Sequence, residues 1–562
     1  MPWGDYRPDI SDYEGQSTKN ILNVLPRGDG YGPFPDFAGF SSALPATCRG
    51  GFYALKSDGS VAVFAGVSDR LYQLNNTDFT WKPVGKVATV TISNASPGVI
   101  TYASHPFSVN DPVVFSTSGT LPTGLSAGTV YYVKTVLTAN TFTVSATVGG
   151  AAINTSLAGS GTHSITSTYS ALSADAQWQF AQFGNFVFAV QKNSVPQVFD
   201  LSSSSAFADL AGSPPQAAYI SIVGRFVVLS GLLSNPYRIQ WSGLNATTTW
   251  TSGTNSSDYQ DLPDGGIVRG VAGGEFGTIF QDQAIRRMSY VPGSPLIFQI
   301  ERVTQDKGLY APYSIIRAGE RIFFHAGQGF HVIAPGGLPE QIGREKVDRT
   351  FLESLDKSNL QLFIGAADPR STKVYWAYKS TNGISGKYDQ ILGYDYVLDR
   401  FFPIAMSGEY LLGLSQTGLT LENLDSISSS IDALTLTLDA YATAVQPEIS
   451  HFNSSHVLGF FRGDNLEATL ESSEQGTDGQ RLFIRGFRPV TDAPSLYGSV
   501  SYRDTVSDSA ISTSEVAKNT RTGRCDLTRS TRYSRFKIRI PEDQSWTYAA
   551  GIEPDVTTEG MQ

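Results

Sequence analysis

The stretch Val223-Gly224-Arg225-Phe226-Val227-Val228 places a glycine and a polar residue in front of a short apolar run. The same pattern recurs at residues 183–188, 273–280 and 318–324. Spacings of 40, 50 and 45 residues separate the four glycines of the pattern, which are Gly184, Gly224, Gly274 and Gly319. Self-similarity at a period of about 20 to 50 residues is typical of stacked or radial repeats. The sequence therefore predicts a β-propeller.

Each copy of the pattern predicts two successive β-hairpins. Glycine beside Asn, Arg or Glu supplies a tight turn, and the flanking Phe, Val and Ile suit half-buried strands. In the last copy, Ile322-Phe323-Phe324 and Phe330-His331-Val332-Ile333 flank a second turn at Gly327-Gln328-Gly329. Weaker copies and a closing segment lie at 52–66, 373–396 and 457–461. We therefore expect about six or seven blades of four strands.

The composition favours strands over helices and leaves room for more than one domain. Only 16% of the 562 residues are charged, whereas 12% are aromatic and 55 are glycine. Short strands joined by turns use such residues, and we expect an all-β chain. No apolar run reaches the length of about 18 residues that a membrane anchor needs. The first residues lack the basic and apolar regions of a signal peptide, so we expect folding in a cytoplasm.

The repeat pattern is interrupted once and is flanked by two different segments. Residues 87–166 alternate like strands and carry only Asp111 and Lys134 as ionic groups, which predicts an inserted small β-barrel or sandwich. Residues 1–48 are rich in aromatic side chains but lack periodicity. We expect this segment to lie along its own propeller or a neighbouring subunit. From residue 466 onward the pattern returns to strands.

These observations predict the following domains: an extended N-terminal arm at 1–48, a first blade at 49–86, an inserted β-module at 87–166, the remaining blades at 167–465, and a C-terminal β-sandwich or platform at 466–562. One helix is predicted within the blades, at 419–442. Its apolar residues recur at spacings of three and four, and they are Leu424, Ile427, Ile431, Leu434 and Leu438.

The net charge of −10 argues against a protein that grips nucleic acid through many phosphate contacts. The one basic stretch runs from Arg521 to Arg539. Within it, the charges of residues 533–540 alternate with apolar side chains, as on a strand with two different faces. The alternation favours a solvated or subunit-facing strand over a nucleic-acid site.

Signals for catalysis or for a bound cofactor are weak. His325 and His331 lie on successive predicted strands and could share a metal, but no third ligand follows at a recognisable spacing. Glycosidase chemistry needs two placed carboxylates, and only residues 56–61 partly match the aspartate turn motif of sialidase-type propellers. Cys48 and Cys525 are too few for a disulfide framework or a structural zinc site. We predict no enzyme activity, no catalytic, cofactor-binding or metal-binding residues, and no cofactor.

Several stretches resemble the tail proteins of short-tailed bacteriophages, most closely the nozzle or hub (tail tubular) protein. They are Tyr6-Arg7-Pro8-Asp9, Asn23-Val24-Leu25-Pro26, Gly30-Tyr31-Gly32-Pro33, residues 64–72 and residues 546–553. The inserted unit, with residues 96–101, 121–133 and 149–154, is similar to a mobile β-module of many phage virion proteins. This module is the most specific part of the resemblance, and it indicates a phage structural protein more strongly than a nozzle.

The resemblance implies a homo-oligomeric ring, a hexamer, around the DNA exit channel of the virion tail, assembled in the bacterial host cytoplasm. The implied partners are the tail adaptor and portal complex and the tail fibres or needle, while double-stranded DNA passes without specific binding. An acidic lumen would repel phosphates and let DNA slide. Two alternatives stay open: a tail-attached glycan-binding or depolymerising propeller protein, and a cellular propeller scaffold. An enzyme would show converging carboxylates in one pocket, and a scaffold would be monomeric.

Overall fold

The structure is a computed structural model that describes residues 1–11, 17–415, 447–476 and 479–559. The all-β prediction is confirmed, because strands make up nearly all of the regular structure in these ranges. The helix predicted at 419–442 lies outside the described residues. One α-helix is present in the described ranges, α1 at Asp348–Ser354, together with short 3₁₀ turns at Pro263–Gly265, Pro312–Ser314 and Leu360–Leu362.

The N-terminal segment contributes four strands, which later pair with distant parts of the chain: β1 (Thr18–Leu22), β2 (Val24–Arg27), β3 (Gly30–Pro33) and β4 (Pro35–Ala43). The first blade follows as an antiparallel sheet in chain order: β5 (Gly51–Leu55), β6 (Val61–Gly66), β7 (Leu71–Leu74) and β8 (Trp81–Pro83). Strand β6 is buried along its whole length, which explains its unbroken run of small and apolar residues.

The inserted module is a closed barrel in the order β10-β13-β12-β11-β14-β9. Its strands are β9 (Val87–Ile92), β10 (Ile100–Thr101), β11 (Pro112–Thr117), β12 (Val130–Thr138), β13 (Thr141–Ser145) and β14 (His163–Thr166). Phe115, Phe142 and Ile165 belong to a hydrophobic core that contains only residues of the module. Val87 and Thr166 lie opposite each other in register, so the two ends of the module meet where it leaves the propeller.

Four further blades repeat the same four-stranded antiparallel order. Blades two and three consist of β15 (Gln179–Phe183), β16 (Phe186–Val190), β17 (Gln197–Asp200), β18 (Ala208–Asp209), β19 (Ala217–Val223), β20 (Phe226–Leu232), β21 (Arg238–Trp241) and β22 (Asp258–Asp261). Blades four and five consist of β23 (Val268–Ala272), β24 (Gly277–Gln281), β25 (Ile285–Tyr290), β26 (Phe298–Thr304), β27 (Ile316–Ala318), β28 (Arg321–His325), β29 (Phe330–Ile333) and β30 (Glu340–Gln341).

The last two blades share one long bent strand. They consist of β31 (Ile364–Ala367), β32 (Lys373–Tyr378), β33 (Tyr388–Asp395), β34 (Arg400–Ser415), β35 (Pro447–Asn453) and β36 (Val457–Asn465), and β4 is added at the outer edge. The first half of β34 pairs with β33 and completes blade six, whereas its second half pairs with β35 and begins blade seven. The bend falls at Gly408, where a Cβ atom would lie 2.4 Å from the Tyr388 hydroxyl, so only glycine fits there.

Hydrophobic cores join neighbouring blades around a closed ring of seven in the described ranges. Five of the seven interfaces carry a direct aromatic contact, with ring centroids 4.6–5.7 Å apart. These contacts are Phe64 with Phe199, Trp241 with Phe298, Phe280 with Phe324, Phe330 with Trp376, and Trp81 with Phe452. The last contact joins blade seven to blade one and closes the propeller.

The glycine pattern of the sequence marks the turn between the first and second strands of a blade. Gly184, Gly224 and Gly319 have φ angles of 59°, 55° and 61°, a left-handed conformation that favours glycine. The first strand of each blade lies next to the propeller axis, and we call it the inner strand. These turns all lie where the inner strands end, on a face that we call the lower face. Loops leading into the inner strands form the opposite, upper face.

The remaining strands build a β-sandwich from both ends of the chain: β37 (Ala468–Ser472), β38 (Gln475–Gly476), β39 (Arg481–Thr491), β40 (Tyr497–Arg503), β41 (Ile511–Ser512), β42 (Val516–Ala517), β43 (Arg529–Thr531), β44 (Tyr533–Ile540) and β45 (Ala549–Glu559). One sheet has the order β1-β37-β44-β40-β41 and the other β2-β3-β45-β39-β43. Phe487 and Phe536 face each other between the sheets, 5.4 Å apart. The segment predicted as an extended arm is thus paired into both sheets.

A buried carboxylate ties the N-terminal segment to blade seven. Glu409 is fully buried at the bend of β34. Its Oε2 accepts the Cys48 N–H at 2.9 Å, and its Oε1 lies 2.6 Å from Nδ1 of His456. Cys48 precedes blade one and His456 lies in the turn between β35 and β36, so this one side chain connects the two blades that close the ring.

Replacing residues 87–166 with a short Gly/Ser linker should leave a propeller that melts cooperatively. The register of Val87 and Thr166 implies a Cα separation of about 5 Å, which a short linker spans. The deletion removes the 2.6 Å bridge from Asp111 to the nearly buried Arg70 and leaves that cation unpaired. Adding Arg70→Met should therefore recover part of the stability lost. Loss of the cooperative transition in both deletion variants would contradict an autonomous module.

Glu409→Ala should lower the free energy of unfolding by about 3 kcal/mol, because the buried Cys48 N–H loses its acceptor and His456 its partner. Glu409→Gln should cost less, since an amide oxygen still accepts the Cys48 N–H. Urea unfolding followed by fluorescence measures both values. The exposed Glu353 serves as the control, and Glu353→Ala should change little. Equal losses for all three variants would exclude a specific role for Glu409.

Candidate functional site

The inner strands surround a small cavity on the propeller axis. Its volume is about 190 Å³, and aromatic side chains from three blades, Tyr219, Tyr313 and Tyr410, lie in its wall. Burial raises the pKa of Tyr313 to about 12 and holds that of Tyr410 well above its ordinary value. Both phenols are therefore protonated at neutral pH. Their side chains and the strand ends close the axis to anything much larger than a few water molecules.

A larger, polar cavity opens above the axial cavity on the upper face, and we call it the axial bowl. Its volume is about 420 Å³, and it shares Tyr219, Pro312 and Tyr313 with the axial cavity. Charged side chains in its wall come from four different loops or strand starts: Asp175, Arg269, Asp282 and Lys357. The bowl thus collects residues that are nearly 200 positions apart in the sequence.

Arg269 and Asp282 form the one ion pair that the described residues place in the bowl. Arg269 Nε donates to Oδ1 of Asp282 at 2.6 Å. The second oxygen of Asp282 accepts the Ile267 N–H at 2.9 Å, which fixes the carboxylate. Since only Nε is engaged, the two terminal nitrogens of Arg269 stay available to an occupant of the bowl.

Hydrogen bonds to Arg49 and Tyr313 fix the backbone of the segment that carries Asp175. Arg49 Nη2 donates to the carbonyl oxygens of Ser173 at 3.0 Å and Ala174 at 3.1 Å, and also to that of Ala176. The backbone N–H of Gln177 donates to the Tyr313 hydroxyl at 2.9 Å. These contacts fix the backbone of the loop that places Asp175 at the bowl.

A second groove, of about 820 Å³, lies beside α1 and is rich in carboxylates. Three of these carboxylates form hydrogen bonds or ion pairs within the fold. Asp9 accepts the N–H groups of Arg349 and Thr350 at the start of α1, at 2.8 and 2.9 Å. Asp348 accepts the Phe330 N–H, and Asp356 pairs with Lys379 at 2.8 Å. These three carboxylates therefore hold neighbouring elements of the fold together.

The two histidines considered as metal ligands are separated by the pleat of the sheet. In blade five His331 lies opposite Phe324, whereas His325 lies opposite Phe330, so the two rings point to opposite faces. His325 packs among aromatic rings, with Phe330 at 5.0 Å. His331 Nδ1 lies 2.9 Å from the Gly329 carbonyl oxygen. Across the described ranges, no three His, Cys, Asp or Glu side chains come together as metal ligands.

The basic stretch lies on β44, a central strand of the sandwich. Phe536, Ile538 and Ile540 point into the core, and the cations between them point outward. Arg539 pairs with Glu467 at 2.8 Å and with Glu515 at 2.7 Å. On the same sheet, Glu474 lies 3.9 Å from Arg535 and also pairs with Arg503. The positive charges of Arg535 and Arg539 are therefore at least partly neutralised within the sandwich.

No family model and no curated protein sequence matches the chain. Among solved structures, YCF48 bound to D1 peptide is 13% identical over 42% of this chain and 71% of that chain, with a TM-score of 0.27. The β-propeller domain of Myceliophteria thermophila Cps50 (Swd1) is 9% identical over 65% and 96%, also with a TM-score of 0.27. The phage phi92 endosialidase is 15% identical over 51% and 52%, with a TM-score of 0.19.

At these values the likenesses add nothing to the argument, and the propeller fold rests on the seven packed blades of the chain itself. Among the helices of the described ranges, none is long and apolar enough to cross a membrane. Nothing in the sequence marks Arg49, Asp175, Arg269 or Lys357 as site residues. Each lies in a loop or at a strand start without a local motif, and only the closed ring brings them together.

Two buried histidines should make the protein sensitive to acid. Burial lowers the pKa of His325 and of His451 to about 3, whereas an exposed histidine titrates near 6.5. Between these values the unfolded chain binds the extra proton, so stability falls as the pH falls. The expected loss is about 1.4 kcal/mol per pH unit for each histidine.

His325→Phe should remove one of the two contributions, since a phenyl ring suits the surrounding aromatic side chains. The free energy of unfolding, measured between pH 4 and 8, should fall less steeply below about pH 6.5 in the variant. Above pH 7 both proteins should show the same slope, which provides an internal control. Identical slopes over the whole range would show that His325 is not held neutral.

Proposed function

We propose that this protein is a structural virion protein of a short-tailed phage. It forms a cyclic ring, a hexamer, in the tail nozzle or hub, and the ring conducts the genome passively. The proposal starts from the resemblance of the sequence to such tail proteins. The observation that carries its mechanism is the pairing of the basic stretch with carboxylates, as at Arg539 with Glu467 and Glu515.

Charge pairing supports a conduit that does not retain DNA. Each cation that neutralises a phosphate adds to non-specific affinity and to its salt dependence. Here Arg539, Arg503 and Arg535 have carboxylates of the same sandwich beside them, and the chain has a net charge of −10. Approaching phosphates would have to displace these carboxylates, so such a surface favours sliding over binding.

The closed axis supports a ring of several copies rather than a single propeller as the channel. A cavity of about 190 Å³ has room for about six waters at bulk density, which is far too little for a duplex. DNA would therefore pass between copies of the chain. Partners of the proposed ring are the portal and adaptor above it and the tail fibres or needle below it.

Imaging of virions that contain the protein tests the ring directly, and we expect six copies with cyclic symmetry around the tail channel. A single copy, or copies without cyclic symmetry, would overturn the proposal. Purified ring should bind duplex DNA at physiological salt no more tightly than about 1 μM. Submicromolar binding with a steep salt dependence would overturn the passive conduit while leaving the ring intact.

A matched variant tests the role of charge pairing. Glu467→Gln combined with Glu515→Gln removes both partners of Arg539 and should tighten DNA binding. The slope of log affinity against log salt should steepen by about one phosphate contact for the freed cation. Glu340→Gln combined with Glu353→Gln is the control, because it also removes two charges but takes them from exposed carboxylates that form no ion pair in the described ranges, and it should leave both quantities unchanged. An equal effect of both variants would indicate net charge alone as the cause.

A further inference from the structure

The axial bowl has the features of a binding site that the conduit function does not use. Its volume of about 420 Å³ lies within the range of about 300–1,000 Å³ that small-molecule sites occupy. It lies where the inner strands of several blades begin, so its wall combines side chains from separate blades. We propose that the axial bowl binds a neutral saccharide of one or two sugar units. This inference does not depend on the proposed function.

The polar groups of the bowl are available for a ligand. Within the described part of the chain, the Asp175 carboxylate and the Lys357 ammonium group form no hydrogen bond or ion pair. Arg269 keeps both terminal nitrogens free, because only its Nε is bonded to Asp282. Asp175 accepts hydrogen bonds, while Lys357 and Arg269 donate them. Sugar hydroxyls need both kinds of partner, since each hydroxyl donates one hydrogen bond and accepts others.

The aromatic side chains supply the apolar surface that a sugar ring also needs. Tyr219 and Tyr313 lie side by side in the wall, with ring centroids 6.1 Å apart and an interplanar angle of 59°. Tyr310 lines the same cavity. A pyranose presents C–H groups on one face and hydroxyls around its rim. It can therefore pack a face on a tyrosine and direct its hydroxyls to the charged groups.

The balance of charge favours a neutral ligand. Asp175 and Asp282 carry two negative charges, and Arg269 and Lys357 carry two positive charges. An anionic ligand would have to overcome the unpaired Asp175, and a cationic ligand would meet Lys357. A neutral polyol instead gains hydrogen bonds to charged groups, which are stronger than those between neutral groups.

The site is preorganised, which lowers the cost of binding. Arg49 holds the loop of Asp175 through three backbone carbonyls, and Asp282 holds the guanidinium of Arg269. Gln177 Nε2 donates to the Gln361 carbonyl at 2.9 Å and so joins the Asp175 loop to the segment before blade six, which carries Lys357. The guanidinium of Arg269 and the backbone segments that carry Asp175 and Lys357 are thus held in place without a ligand.

The experiment uses the full-length protein on a printed array of neutral mono- and disaccharides of hexoses, deoxyhexoses and N-acetylhexosamines. Titration calorimetry on the best sugar then gives the affinity. Asp175→Ala and Lys357→Ala should each weaken binding by about tenfold or more, since each removes a hydrogen bond to a charged group. Glu320→Ala, on the lower face, should leave it unchanged.

Both substituted side chains in the bowl are exposed, so the variants should fold, and thermal melting checks this. Selective loss of sugar binding in the two bowl variants supports the proposal. Absence of binding to every neutral sugar overturns it, as does binding that the bowl variants leave unchanged. Binding confined to sialylated or phosphorylated glycans on a parallel array overturns the neutral class. None of these outcomes bears on the ring or on DNA passage.

Discussion

Closure of the propeller depends on pairing between residues that are about 400 positions apart. Strand β4, near the start of the chain, is the outer strand of blade seven, whose other strands lie beyond residue 400. Glu409 reinforces this closure from inside, where it accepts the Cys48 N–H and pairs with His456. Together with the contact of Trp81 with Phe452, these interactions join blade one to blade seven and so complete the ring of inner strands. The axial cavity and the axial bowl exist only in the closed ring.

Much of the propeller could be predicted from local pattern. Gly184, Gly224 and Gly319 mark real turns, because a left-handed turn between apolar strands depends on neighbouring residues only. The bent strand β34 was not predicted, since a strand shared by two blades has no turn to mark the boundary. Its signal was Gly408, which is needed for contact with Tyr388 and not for a turn. The pairing of β1 to β3 with the sandwich is equally non-local.

The candidate site was beyond sequence analysis for a related reason. The repeat pattern marks the lower face, whereas the bowl lies on the upper face, where loop lengths and sequences differ from blade to blade. Asp175, Arg269 and Lys357 carry no shared motif, and their proximity follows from the ring. The histidines that attracted attention, His325 and His331, point to opposite faces of one sheet. The spacing of these residues along the chain therefore does not predict which side chains share a site.

The two proposals use different parts of the molecule, and the closed axis explains why they can coexist. Side chains such as Tyr313 and Tyr410 fill the propeller axis, so a duplex cannot use it, and only a small ligand can enter from the upper face. In the proposed ring, DNA would then pass along surfaces between copies of the chain. On such surfaces, cations paired as Arg539 is paired offer little to a phosphate. The proposed conduit needs charges that are already paired. The proposed sugar site needs charges that are not, such as those of Asp175 and Lys357. One fold can therefore serve both.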